Sequence, residues 1–231
     1  MTQVADQLAA VQRQIAEAAV QAGRDPATVG LVAVSKTHPA ESVVAAAEAG
    51  QRVFGESRVQ EARDKIPSCP PGLVWHFIGH LQKNKVRQAL PLFGFFHSID
   101  STALAQAIDR IAGEIGRPVE GLLEVNVSGE ETKYGFTPEQ LRAEFPALAK
   151  LPHLRIRGLM TMAPYSDDPE KARPFFRALR QMRDELQSAH GHPLPELSMG
   201  MSGDFAPAIG EGATLVRIGS SIFGARPHPP E

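Results

Sequence analysis

Apolar positions along this chain follow two rhythms. Over residues 3–22 they recur at helical spacing, with Val4, Leu8, Val11, Ile15 and Ala18 on one face and Gly23 as the stop. From Gly30 onward short β-branched and apolar runs take over, at 31–35, 52–55, 73–78, 95–99, 119–127, 154–162, 195–199 and 214–218. Helix-like stretches stand between them, near 40–49, 58–66, 81–90, 101–115, 138–150, 169–189 and 204–210. Thr137-Pro138-Glu139-Gln140 is a capping box with proline at the first helical position, and Asp168-Pro169 and Ser57-x-x-Gln60 offer similar starts.

Eight strand candidates alternating with helices, about 25 residues apart, are what a (β/α)8 barrel requires. A doubly wound open sheet is the competitor, but its first strand ordinarily runs into a glycine-rich turn. Here the first run ends in Ser35-Lys36-Thr37-His38-Pro39, without glycine. The pattern therefore predicts an α/β TIM barrel with an extra N-terminal helix, residues 1–231 forming one domain and 227–231 a frayed tail.

Composition narrows the setting. At 231 residues, 42% hydrophobic and 22% charged, the chain has the make-up of a globular protein. With 24 Lys+Arg against 26 Asp+Glu, it carries no electrostatic footprint for nucleic acid or an anionic membrane. Cys69 is the sole cysteine, so no intrachain disulfide forms and a reducing compartment is expected. The amino terminus shows no basic segment leading into an apolar core, and no apolar run reaches membrane-span length. A cytoplasmic location is the expectation.

A barrel brings every strand's carboxyl end to one rim, and three stretches there carry chemistry. Leu31-Val32-Ala33-Val34-Ser35-Lys36-Thr37 is an apolar run ending on a lysine. An amine beside a low-dielectric floor is costly to protonate and becomes a nucleophile able to form a Schiff base. A solvated strand-end lysine fits the same pattern. The other two stretches are Ser198-Met199-Gly200-Met201-Ser202-Gly203-Asp204 and Val216-Arg217-Ile218-Gly219-Ser220-Ser221. They follow the seventh and eighth predicted strands, where barrels recurrently bind phosphate through backbone N–H groups. Glycines in ordinary turns would look alike. A lysine and a phosphate cup together suit an aldehyde bearing a phosphate, either pyridoxal 5'-phosphate or a phosphorylated sugar in a Schiff-base aldolase. His76 and His80 fall on a strand and its loop rather than one helix face, so no metal is expected.

Several motifs carry a family resemblance. They are Ala33-Val34-Ser35-Lys36, Phe54-Gly55-Glu56, Trp75-His76-Phe77-Ile78-Gly79-x-Leu81-Gln82-x-Asn84-Lys85, Gly158-Leu159-Met160, Leu197-Ser198-Met199-Gly200-Met201-Ser202 and Val216-Arg217-Ile218-Gly219. In this order they resemble the pyridoxal-phosphate homeostasis protein family, a single-domain relative of the amino-terminal barrel of alanine racemase. The resemblance runs over nearly the whole chain. It implies a fold type III barrel without a C-terminal β-domain, binding pyridoxal 5'-phosphate. Lys36 is then the Schiff-base lysine. Ser202 and the Gly219-Ser220 backbone look like the phosphate contacts, and Arg217 like the group facing the pyridine nitrogen. A guanidinium cannot accept a hydrogen bond, so it would keep that nitrogen unprotonated and weaken the electron sink. Met160 would pack near the ring, a position that core filling explains as well. Ser57 stands where the family commonly has asparagine; it caps a helix equally but reaches less far toward a cofactor. Lys133 matches a family lysine in the loop after the fifth strand, as a second amine near the mouth or as a solvated loop residue.

A racemase needs two bases. In the alanine racemase relatives the second is a tyrosine from an added β-domain of the partner subunit, whereas this sequence has only Tyr134 and Tyr165. The expectation is a non-enzymatic carrier that stores, buffers or delivers the cofactor, with recipient enzymes as partners, as a monomer or weak homodimer. A pyridoxal-phosphate-dependent racemase and the sugar-phosphate aldolase are the alternatives.

Overall fold

The computed structural model describes residues 3–225; the 227–231 tail lies outside them. Eight parallel strands close into a barrel in sequential order: β1 (Gly30–Val34), β2 (Val53–Glu56), β3 (Val74–Phe77), β4 (Phe95–Ile99), β5 (Val119–Glu124), β6 (Leu154–Met160), β7 (Glu196–Ser198) and β8 (Leu215–Ile218). The helices are α1 (Gln3–Gln21), α2 (Ala40–Glu48), α3 (Val59–Lys65), α4 (Val86–Ala89), α5 (Thr102–Glu114), α6 (Pro138–Leu148), α7 (Arg173–His190), α8 (Phe205–Gly210) and α9 (Ser220–Phe223). Among the described residues no helix is long and apolar enough to cross a membrane.

Strand residues alternate between the barrel lumen and the helical layer. Register partners across parallel strands point the same way, so Val32 shares a face with Arg217, Gly55 with His76, and Glu124 and Met160 with Ser198. The opposite faces, with Ala33, Phe54, Phe77, Phe96 and Ile218 among them, pack into the apolar layer beneath the helices. Beyond β8 the described chain offers only the four-residue α9, and α8 has six residues. The long α1 lies against α2, α8 and α9 instead, burying Leu8, Val11 and Ile15 there. The Arg24 guanidinium, just after α1, donates to the carbonyls of Ile209 (2.8 Å) and Ala213 (2.7 Å) and fixes that seam.

Local signals account for some of the helix boundaries. The Thr137–Gln140 capping box forms, and the Asp168 carboxylate caps a 3₁₀ turn at Pro169–Ala172. That turn precedes α7 rather than belonging to it; Pro174 then falls in the first turn of α7, where a missing N–H costs nothing. The predicted helix near 81–90 is a 3₁₀ turn (Lys83–Lys85) followed by the short α4. The fifth strand stops at Glu124, because Asn126 and Phe136 turn the chain back through Asn126 N–H to Phe136 O (2.9 Å) and Phe136 N–H to Glu124 O (2.8 Å).

One expected cap is overturned. Ser57 does not start α3; Arg58 takes the cap position with extended backbone and no side-chain hydrogen bond. The cause is packing. A Cβ on Gly79 would sit 2.3 Å from the Ser57 carbonyl, so Ser57 is wedged against the loop after β3 and the helix begins later.

Candidate functional site

The lumen carries a line of buried polar groups that ends on Arg217. This guanidinium, sealed from solvent, donates to the Ser198 hydroxyl and to the Thr161 carbonyl at 3.0 Å. Ser198 Oγ lies 2.8 Å from His97 Nδ1, and His97 Nε2 lies 2.8 Å from His76 Nδ1. Donor counting assigns the direction. Ser198 accepts from Arg217, so its single O–H donates to His97 Nδ1, and His97 Nε2–H donates to His76 Nδ1. The reverse tautomer would strand a buried hydroxyl proton. Burial lowers His76 to about 4 and takes His97 well below its ordinary range, so both imidazoles are neutral at neutral pH. Burial also brings Arg217 down to about 10, with the Glu124 and Asp204 carboxylates opposing, and the guanidinium stays charged. Glu124 is raised to about 7, chiefly by burial and further by Asp100, while Arg217 pulls the other way. The assembly presents a fixed, positive, donor-only group to whatever fills the lumen mouth.

The loops after β7 and β8 meet as the sequence suggests. Ser220 Oγ donates to Ser202 Oγ at 3.2 Å, joining the two turns. Gly200 sits at φ +94°, and a Cβ there would meet Ala208 Cβ at 2.7 Å and Phe205 Cα at 2.9 Å, so only glycine lets this turn lie on α8. The Asp204 carboxylate is turned onto the Met201 N–H (2.6 Å). Gly219 opens α9, and a Cβ on it would lie 3.0 Å from the Val34 carbonyl, so the cup abuts the carboxyl end of β1. The His38 and Phe223 rings, 5.4 Å apart, pack the post-β1 loop onto α9.

Lys36 stands two residues beyond Val34 on this same rim and is half-buried. Met160 is buried at the end of β6, beside Ser198 in register. Five of the singled-out residues besides Lys36 therefore gather at one end of the barrel: Met160, Ser202, Arg217, Gly219 and Ser220. Ser57, just past the carboxyl end of β2 on the same rim, lines a cleft of about 260 Å³ with Phe77, His80 and Leu81 between the loops after β2 and β3. Lys133 is paired with Glu130 and lies 3.5 Å from the Met162 carbonyl, just past β6. Neither tyrosine is turned to the lumen. Tyr134 stacks on His80 (3.9 Å between ring centres), which is held by Asp100 at 2.7 Å, and the exposed Tyr165 donates to Asp167 at 2.8 Å. The His76 and His80 rings bond in different directions, and among the described residues no group of three or more His, Cys, Asp or Glu could hold a metal ion.

The sequence profile described as "Alanine racemase, N-terminal domain" matches residues 7–227. A protein named pyridoxal phosphate homeostasis protein in Aquifex aeolicus is 45% identical over 222 residues, covering 96% of this chain and 97% of that one. A protein of the same name in Pseudomonas aeruginosa is 45% identical over 229 residues, with 98% and 97% covered. The chain belongs to the pyridoxal phosphate homeostasis protein family. Its fold matches that of PipY of Synechococcus elongatus PCC7942, solved with pyridoxal phosphate bound, at a TM-score of 0.86 and 42% identity, covering 96% of this chain and 100% of PipY. Alanine racemase of Corynebacterium glutamicum shares the fold at 20% identity and a TM-score of 0.72; the match covers 98% of this chain and 63% of the racemase.

Within this homeostasis-family barrel, the sequence reading missed the groups that support Arg217. His97, Ser198 and Thr161 come from β4, β7 and the end of β6. It also missed Lys65 and Glu61 on α3, which bond around the end of β1. The only signal for the first group was polar residues inside apolar strand runs, which a closed barrel buries.

Proposed function

We propose that this chain binds pyridoxal 5'-phosphate and acts in its homeostasis by storing, buffering or delivering it, without robust catalysis. The observation that carries this reading is the pairing, on one rim, of a buried donor-only guanidinium with a two-loop cup that abuts the end of β1. These residues fit the group. The cofactor supplies an aldehyde, which condenses with an amine to a Schiff base and releases water; Lys36 is the amine assigned to it. Ser202 and the backbone at Gly219 and Ser220 would hold its phosphate, and Met160 would pack against its ring. Arg217 would face the pyridine nitrogen, donate to it and keep it unprotonated, which suits holding the cofactor more than stabilising a carbanion. Ser57, which follows β2 on the same rim, belongs to the proposed set, with a side chain that reaches less far toward the cofactor than the family's asparagine. The names of the relatives and the bound ligand of PipY support the same reading. Delivery to recipient enzymes, a cytoplasmic location and a monomer or weak homodimer belong to the proposal.

The test is an absorption spectrum of the purified protein after incubation with pyridoxal phosphate, followed by borohydride reduction and peptide mass mapping. A pyridoxyl group on Lys36, absent in Lys36→Ala, is the expected result. A colourless wild type, or a label on another lysine that survives the substitution, would overturn the assignment.

A further inference from the structure

Residue 36 is flanked by two tethered neighbours. Thr37 has φ +66°, and among the described residues it is the sole non-glycine with positive φ. A β-branched side chain is a poor occupant of that region, and such a conformation persists only where the surroundings impose it. Here the tether is explicit: the Thr37 N–H donates to Glu61 Oε1 at 2.6 Å. The same oxygen accepts from Lys65 Nζ at 2.8 Å. Lys65 Nζ also donates to the Ser35 carbonyl at 2.9 Å and to Glu56 Oε1 at 2.7 Å, using its three donors. Ser35 closes the ring by donating Oγ to Glu56 Oε1 at 2.7 Å. Ser35 and Glu56 are fully buried, and Lys65 nearly so. The circuit Ser35–Glu56–Lys65–Glu61–Thr37 thus fixes the backbone on both sides of Lys36, from a helix that itself stands outside the barrel.

We propose that Glu61 and Lys65 are positioning residues for Lys36, holding Thr37 in its left-handed conformation and with it the 35–37 turn that presents the amine to the aldehyde. This rests on the pyridoxal-phosphate reading above. Glu61 forces a conformation that threonine resists and glycine adopts freely, so a glycine at 37 makes the tether dispensable.

The test is a double-substitution cycle on the full chain, with pyridoxal phosphate as probe. Its readouts are the equilibrium retention of the cofactor and borohydride trapping at Lys36. Glu61→Ala is expected to weaken retention roughly tenfold (about 1.4 kcal/mol). Thr37→Gly alone is expected to change it little, and the two together to regain most of the loss. A double variant no better than Glu61→Ala overturns the proposal, since an ion pair or helix contact alone gives no rescue at 37. The same cycle is read by urea unfolding of the cofactor-free protein, where positions 37 and 61 should be coupled. Additive effects there overturn the tether itself. Coupling in unfolding with unchanged retention overturns the positioning role while leaving the proposed function standing. A wild type that binds no cofactor overturns both.

Discussion

Replacing Lys65 with methionine keeps most of the side-chain volume and removes the one cation that Glu56 and Glu61 share. Glu56 is fully sealed and the Lys65 side chain is 7% exposed, so the remaining Glu56 charge finds no water. Removing one partner of a buried pair costs about 3–5 kcal/mol, and nearly all of it falls on Glu56 because Glu61 is part-exposed. The cost depends on pH, with a definite sign. Burial already raises the Glu56 pKa above its ordinary 4.5, and the bonds from Lys65 and Ser35 hold it down. Without Lys65 the native pKa climbs further. An acid with a raised native pKa binds its proton more tightly when folded. Stability is then fullest below the unfolded value of 4.5 and falls as pH rises toward the native value. Each additional unit of separation removes about 1.4 kcal/mol at the alkaline end. Urea unfolding of wild type and Lys65→Met at about pH 5, 6.5 and 8, with linear extrapolation, reads the difference and cancels groups common to both. The gap should be small near pH 5 and widen toward pH 8. Adding Glu56→Gln should close most of it, since a neutral pair leaves no buried charge. A gap equal at all three pH values would refute the electrostatic account.

Three further outcomes follow from the geometry. Ser198→Ala leaves an Arg217 N–H and His97 Nδ1 without their common partner, and should weaken pyridoxal-phosphate retention about tenfold, within the range of about 1–3 kcal/mol for an orphaned buried group; unchanged binding in a spectroscopic titration would exclude the role given to Ser198. Gly158→Ala would put a Cβ 1.8 Å from the Glu196 carbonyl, so β6 and β7 must separate; the variant should be recovered in inclusion bodies or unfold at much lower urea, and a wild-type midpoint would contradict the close approach. Thr137→Ala deletes the capping box of α6 and should lower stability by about 1 kcal/mol in urea, with no effect on cofactor retention.

The barrel was legible because its signals are local. Each of the eight strand runs lies within about three residues of an observed strand, since β-branched clusters and turn residues mark their own ends. The meeting of the loops that carry Ser202, Gly219 and Ser220 was legible for the same reason, since these glycine and serine loops follow strand ends whose place a barrel dictates. The supports of Arg217 were not. His97 lies 101 residues from Ser198, and their contact exists only once the ring of strands has closed. Lys65 reads as an ordinary helix-surface cation among Gln60, Arg63 and Asp64; its burial depends on Glu56 and Ser35, from other elements, being drawn against it. Ser57 shows the converse, a sound local cap signal overruled by the contact with Gly79.

The seam between the two ends of the fold has a consequence for how the protein is made. Gly30 pairs with Leu215, and α1 lies on α8 and α9, so segments made early wait for segments made much later before finding their partners. Until then β1 keeps an open edge and α1 an uncovered apolar stripe, the features that invite association with other chains. Nascent chains halted before residue 215 should accordingly depend on chaperones, and release should coincide with emergence of β8.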